Sequence, residues 1–143
     1  MSVDLWKFAQ ENILLILVAV ASGGMLLWPV LRGRGLGGAA SLGTLEATQM
    51  INHQDALLLD VRDAEDYAKE HILNARNLPL GQLESRLREI EKNKRKPVIV
   101  HCERGNRAGS AAALLRGKGF EKVFTLAGGI ETWRQAGLPL EKK

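Results

Sequence analysis

The sequence predicts an α/β domain with a mostly parallel sheet flanked by helices, and two observations support this fold class. Short continuous apolar runs, which suit strands buried on both faces, alternate with segments whose apolar residues recur at helical spacing. One such run, Val98 to Val100, ends at a polar loop that leads into an Ala- and Leu-rich helical segment. Strands that alternate with helices are typical of parallel sheets, whose ligand sites lie beyond the carboxyl ends of the strands.

The first part of this domain alternates predicted helices and strands. Residues 44–51 have apolar side chains at helical spacing, and Thr44 at their start is a residue type that can cap a helix. Residues 56–60 form a short apolar run that suits a buried strand. A short helix is then predicted at residues 64–69 and a short strand at residues 75–78.

The second part repeats this alternation around the only cysteine of the chain, Cys102. Apolar residues at helical spacing over residues 83–90 precede a basic turn and the strand at residues 98–100. A helix is predicted after the loop, at residues 107–118. The last strand and the last helix are predicted at residues 123–126 and 130–135.

An uncharged apolar segment lies near the N-terminus, from Ile13 to Leu31. As a helix it would be roughly 28 Å long, about the thickness of the hydrocarbon core of a bilayer. The sequence therefore predicts one transmembrane helix at residues 13–31 that precedes the α/β domain. The remaining predicted segments are a short N-terminal tail at residues 1–12, a Gly-rich linker at residues 32–41 and the domain at residues 42–143.

The charges beside this segment predict where the domain lies. Arg32 and Arg34 follow the segment, whereas a single basic residue, Lys7, precedes it. By the positive-inside tendency we expect a single-pass protein of the cell (inner) membrane with its C-terminal domain in the cytoplasm. The alternative is a signal peptide cleaved near Ala21, which would export the domain to the periplasm. The N-terminal tail lacks the basic start that is typical of export signals.

The predicted partners of this part of the chain are the lipid bilayer and a membrane protein. Ala19 and Gly23 stand four residues apart, on one helix face, where small side chains allow another helix to approach. The net charge is +4, and the basic run at residues 92–96 could contact anionic headgroups. Nucleic acid is not a predicted partner, because aromatic residues make up only 5% of the chain and no recognition motif is present.

The chemistry is predicted to lie in the loop that begins at Cys102. A loop between a strand and a helix directs backbone N–H groups and the positive end of the helix to one place. A cysteine there is favoured as the thiolate, and glycine within the loop lets the backbone turn. The sequence therefore predicts a nucleophilic Cys102 in an anion-binding loop made of Glu103, Arg104, Gly105, Asn106 and Arg107.

Two kinds of reaction use a cysteine at the end of a strand, phosphate ester hydrolysis and sulfur transfer. Cysteine-dependent phosphatases place one more residue between their cysteine and arginine than the four that separate Cys102 from Arg107. Ala108 occupies the position where a phosphatase would have that arginine. The shorter loop closes a smaller ring of N–H donors, which suits a terminal sulfur better than a phosphate group.

From about residue 41 to its end, the chain resembles the rhodanese-type single-domain sulfurtransferases. The matching pieces occur in the order of the family: Leu58–Arg62 with Glu65–Tyr67, His71–Ile72 followed by Ala75–Pro79, the loop Cys102–Arg107, and Gly128–Ile130 with Trp133. Three positions depart from the family pattern: Glu70 and Asn74 stand where the family often has glycine, and Ala108 where it often has serine or threonine.

The resemblance implies a rhodanese-like parallel sheet flanked by helices and an enzyme of the thiosulfate or persulfide sulfurtransferase type. Cys102 would carry sulfane sulfur, as a transient persulfide, from a small donor to a thiol or cyanide acceptor. No other cofactor is expected, and the acceptor must be external because the chain has no second cysteine. An alternative function is a membrane-tethered rhodanese-like interaction module that acts on other membrane proteins, with catalysis secondary.

Asp60 and Arg62 are the remaining candidate site residues, since they follow a predicted strand where the pocket should open. They could shape the floor and the charge of the pocket, or they could form a structural ion pair. No metal site is predicted, because His53, His71 and His101 stand apart without the spacing of metal ligands.

Overall fold

The chain divides into two units, Met1–Gly37 and Gly38–Lys143, in a computed structural model that describes residues 4–31 and 39–143. The first unit holds two helices, α1 (Leu5–Glu11) and α2 (Ile13–Leu31). The apolar helix therefore has the bounds that the sequence predicts.

The N-terminal helices were predicted to include one transmembrane helix, which requires sufficient length and apolar composition. Over the described residues, no single helix is both long and apolar enough to span a bilayer. The segments Leu5–Glu11 and Ile13–Trp28 meet the requirement of length and composition only as a pair, with a bend of 80° between them.

The second unit is the α/β domain. Its strands are β1 (Ala40–Leu42), β2 (Leu57–Asp60), β3 (His71–Ile72), β4 (Arg76–Asn77), β5 (Val98–His101), β6 (Val123–Leu126) and β7 (Leu140–Glu141). Its α-helices are α3 (Thr44–Gln54), α4 (Ala64–Lys69), α5 (Asn106–Gly117) and α6 (Gly129–Gln135). Two 3-10 helices, Leu80–Gln82 and Leu87–Asn93, lie between β4 and β5.

Five of the strands form a parallel sheet in the order β1-β6-β5-β2-β4. The central strand β5 pairs with its neighbour β2 so that Asp60 lies beside His101, the residue before Cys102. Because parallel strands end at the same edge of a sheet, this register brings Asp60 and Cys102 to one edge. The predicted parallel sheet is confirmed.

The sheet buries both of its faces, which explains why its central strands are continuously apolar. On one face, Leu59, Val98 and Val100 pack against α5, whose buried side chains are mainly alanine. On the other face, Leu58 and Ile99 pack in a second cluster that includes Ala47 of α3 and Ile130 and Trp133 of α6. The helices thus flank the sheet as predicted.

Three local features differ from the sequence prediction. The predicted linker, residues 32–41, overlaps the sheet: Ala40 and Ser41 lie in β1, while residues 32–38 are outside the described part of the chain. Helix α3 has its N-cap at Gly43 instead of Thr44, and the Gly43 N–H donates to the Glu46 carboxylate at 3.3 Å. The helical pattern of residues 83–90 forms turns and a 3-10 helix instead of an α-helix.

The departure from the family pattern at Asn74 has a structural explanation. Asn74 has a φ of 63°, in the left-handed region where glycine is the usual residue. Asparagine tolerates this conformation better than most other residues. The turn after β3 therefore forms without the glycine.

The core prediction can be tested with two leucines. Leu59 in β2 is fully buried, whereas Leu45 in α3 is 70% exposed. Leu59→Ala is expected to lower the free energy of unfolding by about 2–5 kcal/mol, because it removes buried apolar contacts and leaves a cavity. Leu45→Ala is the matched control and should change it by less than about 0.5 kcal/mol. Equal losses in chemical denaturation would contradict this assignment of the core.

Candidate active site

Cys102 lies in a tight loop between β5 and α5. The strand ends at His101, and α5 begins at Asn106 with Gly105 as its N-cap. Gly105 has a φ of 105°, which a residue with a side chain rarely adopts, and this turn lets its N–H donate to Cys102 Sγ at 3.0 Å. The loop thus places one backbone donor on the sulfur.

The start of α5 adds a favourable field at this end of the loop. The first turn of α5 contains no acidic residue, so the positive end of the helix dipole is not offset there. Cys102 itself is only 2% exposed. A negative charge on its sulfur would therefore depend on the groups of the loop and the helix more than on water.

The two loop arginines point to acidic partners. The Arg107 guanidinium lies 3.7 Å from the Asp63 carboxylate, and Arg104 donates from Nε to Glu131 at 3.2 Å. Arg104 is 77% exposed, so its ion pair contributes little to stability. Arg104 lies in the loop, whereas Asn106 and Arg107 lie in the first turn of α5, so the loop that was predicted over residues 103–107 ends at Gly105. Both arginines are partly or largely exposed.

Asp60 and Arg62 form a buried ion pair beneath the loop. The Arg62 Nη2 donates to Asp60 Oδ2 at 2.7 Å, and its Nε lies 3.1 Å from both carboxylate oxygens. The guanidinium also donates to the Glu70 carbonyl at 2.7 Å and to Glu103 Oε2 at 3.1 Å. Of the two predicted roles, the ion pair is observed, and Arg62 extends it into the loop.

Burial and pairing act in opposite directions on Arg62. Burial lowers the pKa of the guanidinium, but the hydrogen bonds and the charges of Asp60 and Glu103 outweigh this effect, so the pKa lies above its ordinary value. Arg62 is a permanent cation of this site.

His101 precedes Cys102 in the chain and is fully buried. Neither ring nitrogen has a hydrogen-bond partner within the described part of the chain, and Nε2 is 4.0 Å from Asp60 Oδ2. Burial lowers the pKa of His101 to about 4, although the Asp60 charge acts in the opposite direction. The ring is therefore neutral at physiological pH.

An open cavity of about 400 Å³ adjoins the loop. Its lining is almost entirely charged, with four basic and three acidic side chains: Arg62, Lys69, Arg107, Arg134, Asp66, Glu70 and Glu103. Arg134 holds Glu70 at 2.7 Å and lies 3.9 Å from Glu103. Sequence reasoning did not identify Asp66, Lys69, Glu70 or Arg134, because they come from two helices that only the fold brings to the loop.

Within residues 4–31 and 39–143, no group of three or more His, Cys, Asp or Glu side chains is arranged to hold a metal ion. His71 instead contacts the Tyr67 carbonyl and the Glu141 carboxylate, at 2.7 and 3.1 Å.

Comparison with known proteins gives one family for this part of the chain. The sequence model of the Rhodanese-like domain matches residues 44–136. Thiosulfate sulfurtransferase GlpE of Coxiella burnetii is 39% identical over 90 residues, which are 63% of this chain and 82% of that protein. The uncharacterised protein YibN of Escherichia coli is 38% identical over 96 residues, which are 66% of this chain and 67% of that protein.

Solved structures show the same fold. A thiosulfate sulfurtransferase from Pseudomonas aeruginosa superimposes with a TM-score of 0.66 at 30% identity, over 73% of this chain but only 20% of that longer chain. A rhodanese-related protein from Thermoplasma volcanium superimposes with a TM-score of 0.65 at 26% identity, over 73% of this chain and 99% of that one. The residues matched by the family model, 44–136, lie within the α/β unit.

The buried histidine predicts how stability depends on pH. The pKa of His101 falls from an ordinary 6.5 to about 4 on folding, so its contribution is fully present above pH 6.5 and is lost as the pH falls towards 4. The loss should reach about 3 kcal/mol. The charged or titratable groups that face it are Asp60, Arg62 and His71.

Chemical denaturation between pH 4 and pH 7 measures this effect. His101→Asn should flatten the pH dependence relative to the unsubstituted protein, since asparagine does not titrate. His53→Asn, the same substitution at an exposed position, is the control for the loss of a histidine. An unchanged slope in His101→Asn would show that His101 does not titrate as described.

Proposed function

Because this chain belongs to the rhodanese-like domain family, we propose that it transfers sulfane sulfur through a persulfide on Cys102. The family and the thiosulfate sulfurtransferase relatives support a sulfurtransferase function. The observation that carries the proposal for the site is the Gly105 N–H that donates to Cys102 Sγ at 3.0 Å. It places a backbone donor on the atom that would carry the negative charge and the transferred sulfur.

The first half-reaction loads the cysteine. The Cys102 thiolate attacks the outer sulfur of thiosulfate, a new S–S bond forms, and the old S–S bond breaks as sulfite leaves with its electron pair. With a persulfide donor, the leaving group is a thiolate instead. No outside oxidant or reductant is consumed, because the sulfane sulfur moves from one sulfur atom to another.

The second half-reaction removes the sulfane sulfur from Cys102. A thiolate or cyanide attacks the outer sulfur of the Cys102 persulfide, and the Cys102 thiolate leaves. The acceptor comes from outside the chain, which has no second cysteine. Between the two steps, the Gly105 amide and the start of α5 offset the negative charge of the persulfide.

The cavity beside the loop supports an anionic substrate. Its four basic and three acidic side chains leave one positive charge in excess. A cleft with such a charge raises the local concentration of anions. Thiosulfate, a small persulfide and a thiolate acceptor all fit this requirement. No metal or organic cofactor takes part in the proposed reaction.

We propose further that the N-terminal unit anchors the domain to the inner membrane as a single pass, with the domain in the cytoplasm. The support is the apolar composition of α2, the large exposed fraction of its side chains, such as Val20 at 67%, and the two arginines, Arg32 and Arg34, that follow it. Ala19 and Gly23 form the helix face through which a membrane-protein partner would bind. Export to the periplasm after cleavage is the alternative for localisation.

The persulfide is tested directly on the full chain in detergent. After incubation with thiosulfate, the unsubstituted protein should gain the mass of one sulfur atom, and cyanide should remove it. Cys102→Ser should show neither the gain nor turnover, because serine cannot form the persulfide. Intact-mass spectrometry and a thiocyanate assay measure the two effects.

A folded protein that gains no sulfur from thiosulfate or a persulfide would contradict the enzyme proposal. If Cys102→Ser still binds the same membrane proteins as the unsubstituted chain, while neither transfers sulfur, the function would be that of an interaction module.

The proposed membrane anchor is tested by introducing one charged residue into α2. The full chain is expected in the membrane fraction after carbonate extraction. Val20→Arg should release a large part of it, since an arginine near the middle of a transmembrane helix costs about 2.5–3.5 kcal/mol. Leu45→Arg, at an exposed site of the α/β domain, is the control and should stay with the membrane. Release of the unsubstituted chain by carbonate would contradict the anchor, and protection of the domain from protease in inverted vesicles would contradict its cytoplasmic side.

A further inference from the structure

The N-terminus of α6 holds the Cys102 loop through two main-chain hydrogen bonds. The Ile130 N–H donates to the Cys102 carbonyl at 2.9 Å, and the Glu131 N–H donates to the Glu103 carbonyl at 3.3 Å. The first N–H groups of a helix have no partner within the helix. Here the carbonyl groups of the loop accept hydrogen bonds from those N–H groups, so donors of the helix and acceptors of the loop are paired.

Gly129 is the residue that makes this approach possible. A Cβ at this position would lie 2.3 Å from the Cys102 carbonyl oxygen and 2.6 Å from that of Glu103. Both are main-chain atoms, so the loop itself would have to move. Gly129 also has a φ of 62°, which disfavours a residue with a side chain.

The contact fixes the direction of the loop amides. In a planar trans peptide the C=O and the following N–H point in opposite directions. With the carbonyls of Cys102 and Glu103 directed at α6, the N–H groups of Glu103 and Arg104 are directed away from it. The next amide in the loop, that of Gly105, donates to Cys102 Sγ.

The side-chain contacts between the same segments cannot replace this restraint. Arg104 pairs with Glu131 at 3.2 Å, but it is 77% exposed. Arg134 is 3.9 Å from Glu103, and both side chains are more than 40% exposed. Exposed ion pairs of this kind contribute little, so the main-chain contacts dominate.

We propose that Gly129 is a positioning residue for sulfur transfer: it lets the start of α6 orient the amides of the Cys102 loop and so sets the reactivity of the cysteine. The proposal rests on the sulfurtransferase function proposed above. Gly129 touches no substrate. It acts through the main chain of Cys102 and Glu103.

The chain offers a matched control for this residue. Gly137 follows the same helix, has a φ of 68°, and a Cβ there would meet nothing within 4 Å. Gly129→Ala and Gly137→Ala therefore impose a similar backbone strain, but only Gly129→Ala places a methyl group against the loop. Thermal unfolding should show comparable losses from strain, with any excess in Gly129→Ala arising from displacement of the loop.

Alkylation of Cys102 by iodoacetamide distinguishes positioning from a merely structural role, because a loss of stability alone would not change its pH profile in the folded protein. Cys102 is the only cysteine, so the reaction reports on it alone. In folded Gly129→Ala, the midpoint of the pH profile of alkylation should move to higher pH. The kcat for thiosulfate–cyanide transfer should fall by about a hundredfold or more, the order found when one preorganised donor is lost. Gly137→Ala should match the unsubstituted protein in both the pH profile of alkylation and kcat.

Two results would overturn the proposal: an unchanged pH profile in folded Gly129→Ala, or an equal shift in Gly137→Ala. If Gly129→Ala does not fold, Glu131→Pro takes its place, since proline is tolerated in the first turn of a helix and removes the N–H that donates to Glu103. Glu131→Ala then controls for the lost carboxylate, and a Glu131→Pro profile identical to that of Glu131→Ala would overturn the proposal.

The test separates this proposal from the function on which it rests. Alkylation requires only the thiolate, whereas sulfur transfer requires the full reaction. A protein that shows the Gly129-dependent shift but takes up no sulfur would retain the positioning role and contradict the sulfurtransferase.

Discussion

The buried pair of Asp60 and Arg62 is the interaction on which the site depends. Removing two charges from water costs free energy, which is recovered only when the geometry is good and the remaining hydrogen-bonding groups are satisfied. Arg62 meets both conditions, because its other donors reach the Glu70 carbonyl and the Glu103 carboxylate. The cation thereby connects the end of β2, the end of α4 and the Cys102 loop. A substitution that removed one partner would leave an uncompensated charge in the interior, at the base of the loop.

The Cys102 loop is restrained by two different kinds of contact. Arg62 holds the side chain of Glu103 at 3.1 Å, whereas α6 holds the main-chain carbonyls of Cys102 and Glu103. Loops are usually more mobile than the elements they connect, but donors that stabilise a reacting anion are effective only when they are oriented beforehand. The ion pair limits the position of the loop, and the main-chain contacts limit the direction of its amides. Together, the ion pair and the main-chain contacts give this short polar loop a fixed geometry.

Much of this fold could be predicted from local sequence, and the exceptions share a physical cause. Strands β2, β5 and β6 were recognisable because burial on both faces requires continuous apolar runs. Cys102 and its loop were recognisable because a polar turn with glycine interrupts such a run. Strand β1 has only three residues, Ala40–Leu42, and forms because the edge of β6 is available, which no local pattern shows. Gly129 contacts the Cys102 loop, which is distant from it in sequence. The glycine pair at 128–129 therefore predicts a turn, but it does not predict that the turn packs against this loop.

The charges around Cys102 indicate why, in the proposed reaction, backbone amides would carry most of the anion stabilisation. His101, the nearest ring, is held neutral by burial. Arg62 is a permanent cation, but its charge is shared between Asp60 and Glu103, and Arg107 lies towards Asp63. The groups not offset by carboxylates are the Gly105 N–H and the start of α5. Arg62 and Arg107, which could bind an anion bidentately, are both directed at carboxylates. Because dipoles act only when aligned, the reactivity proposed for this cysteine would depend on main-chain geometry more than on any nearby charged side chain.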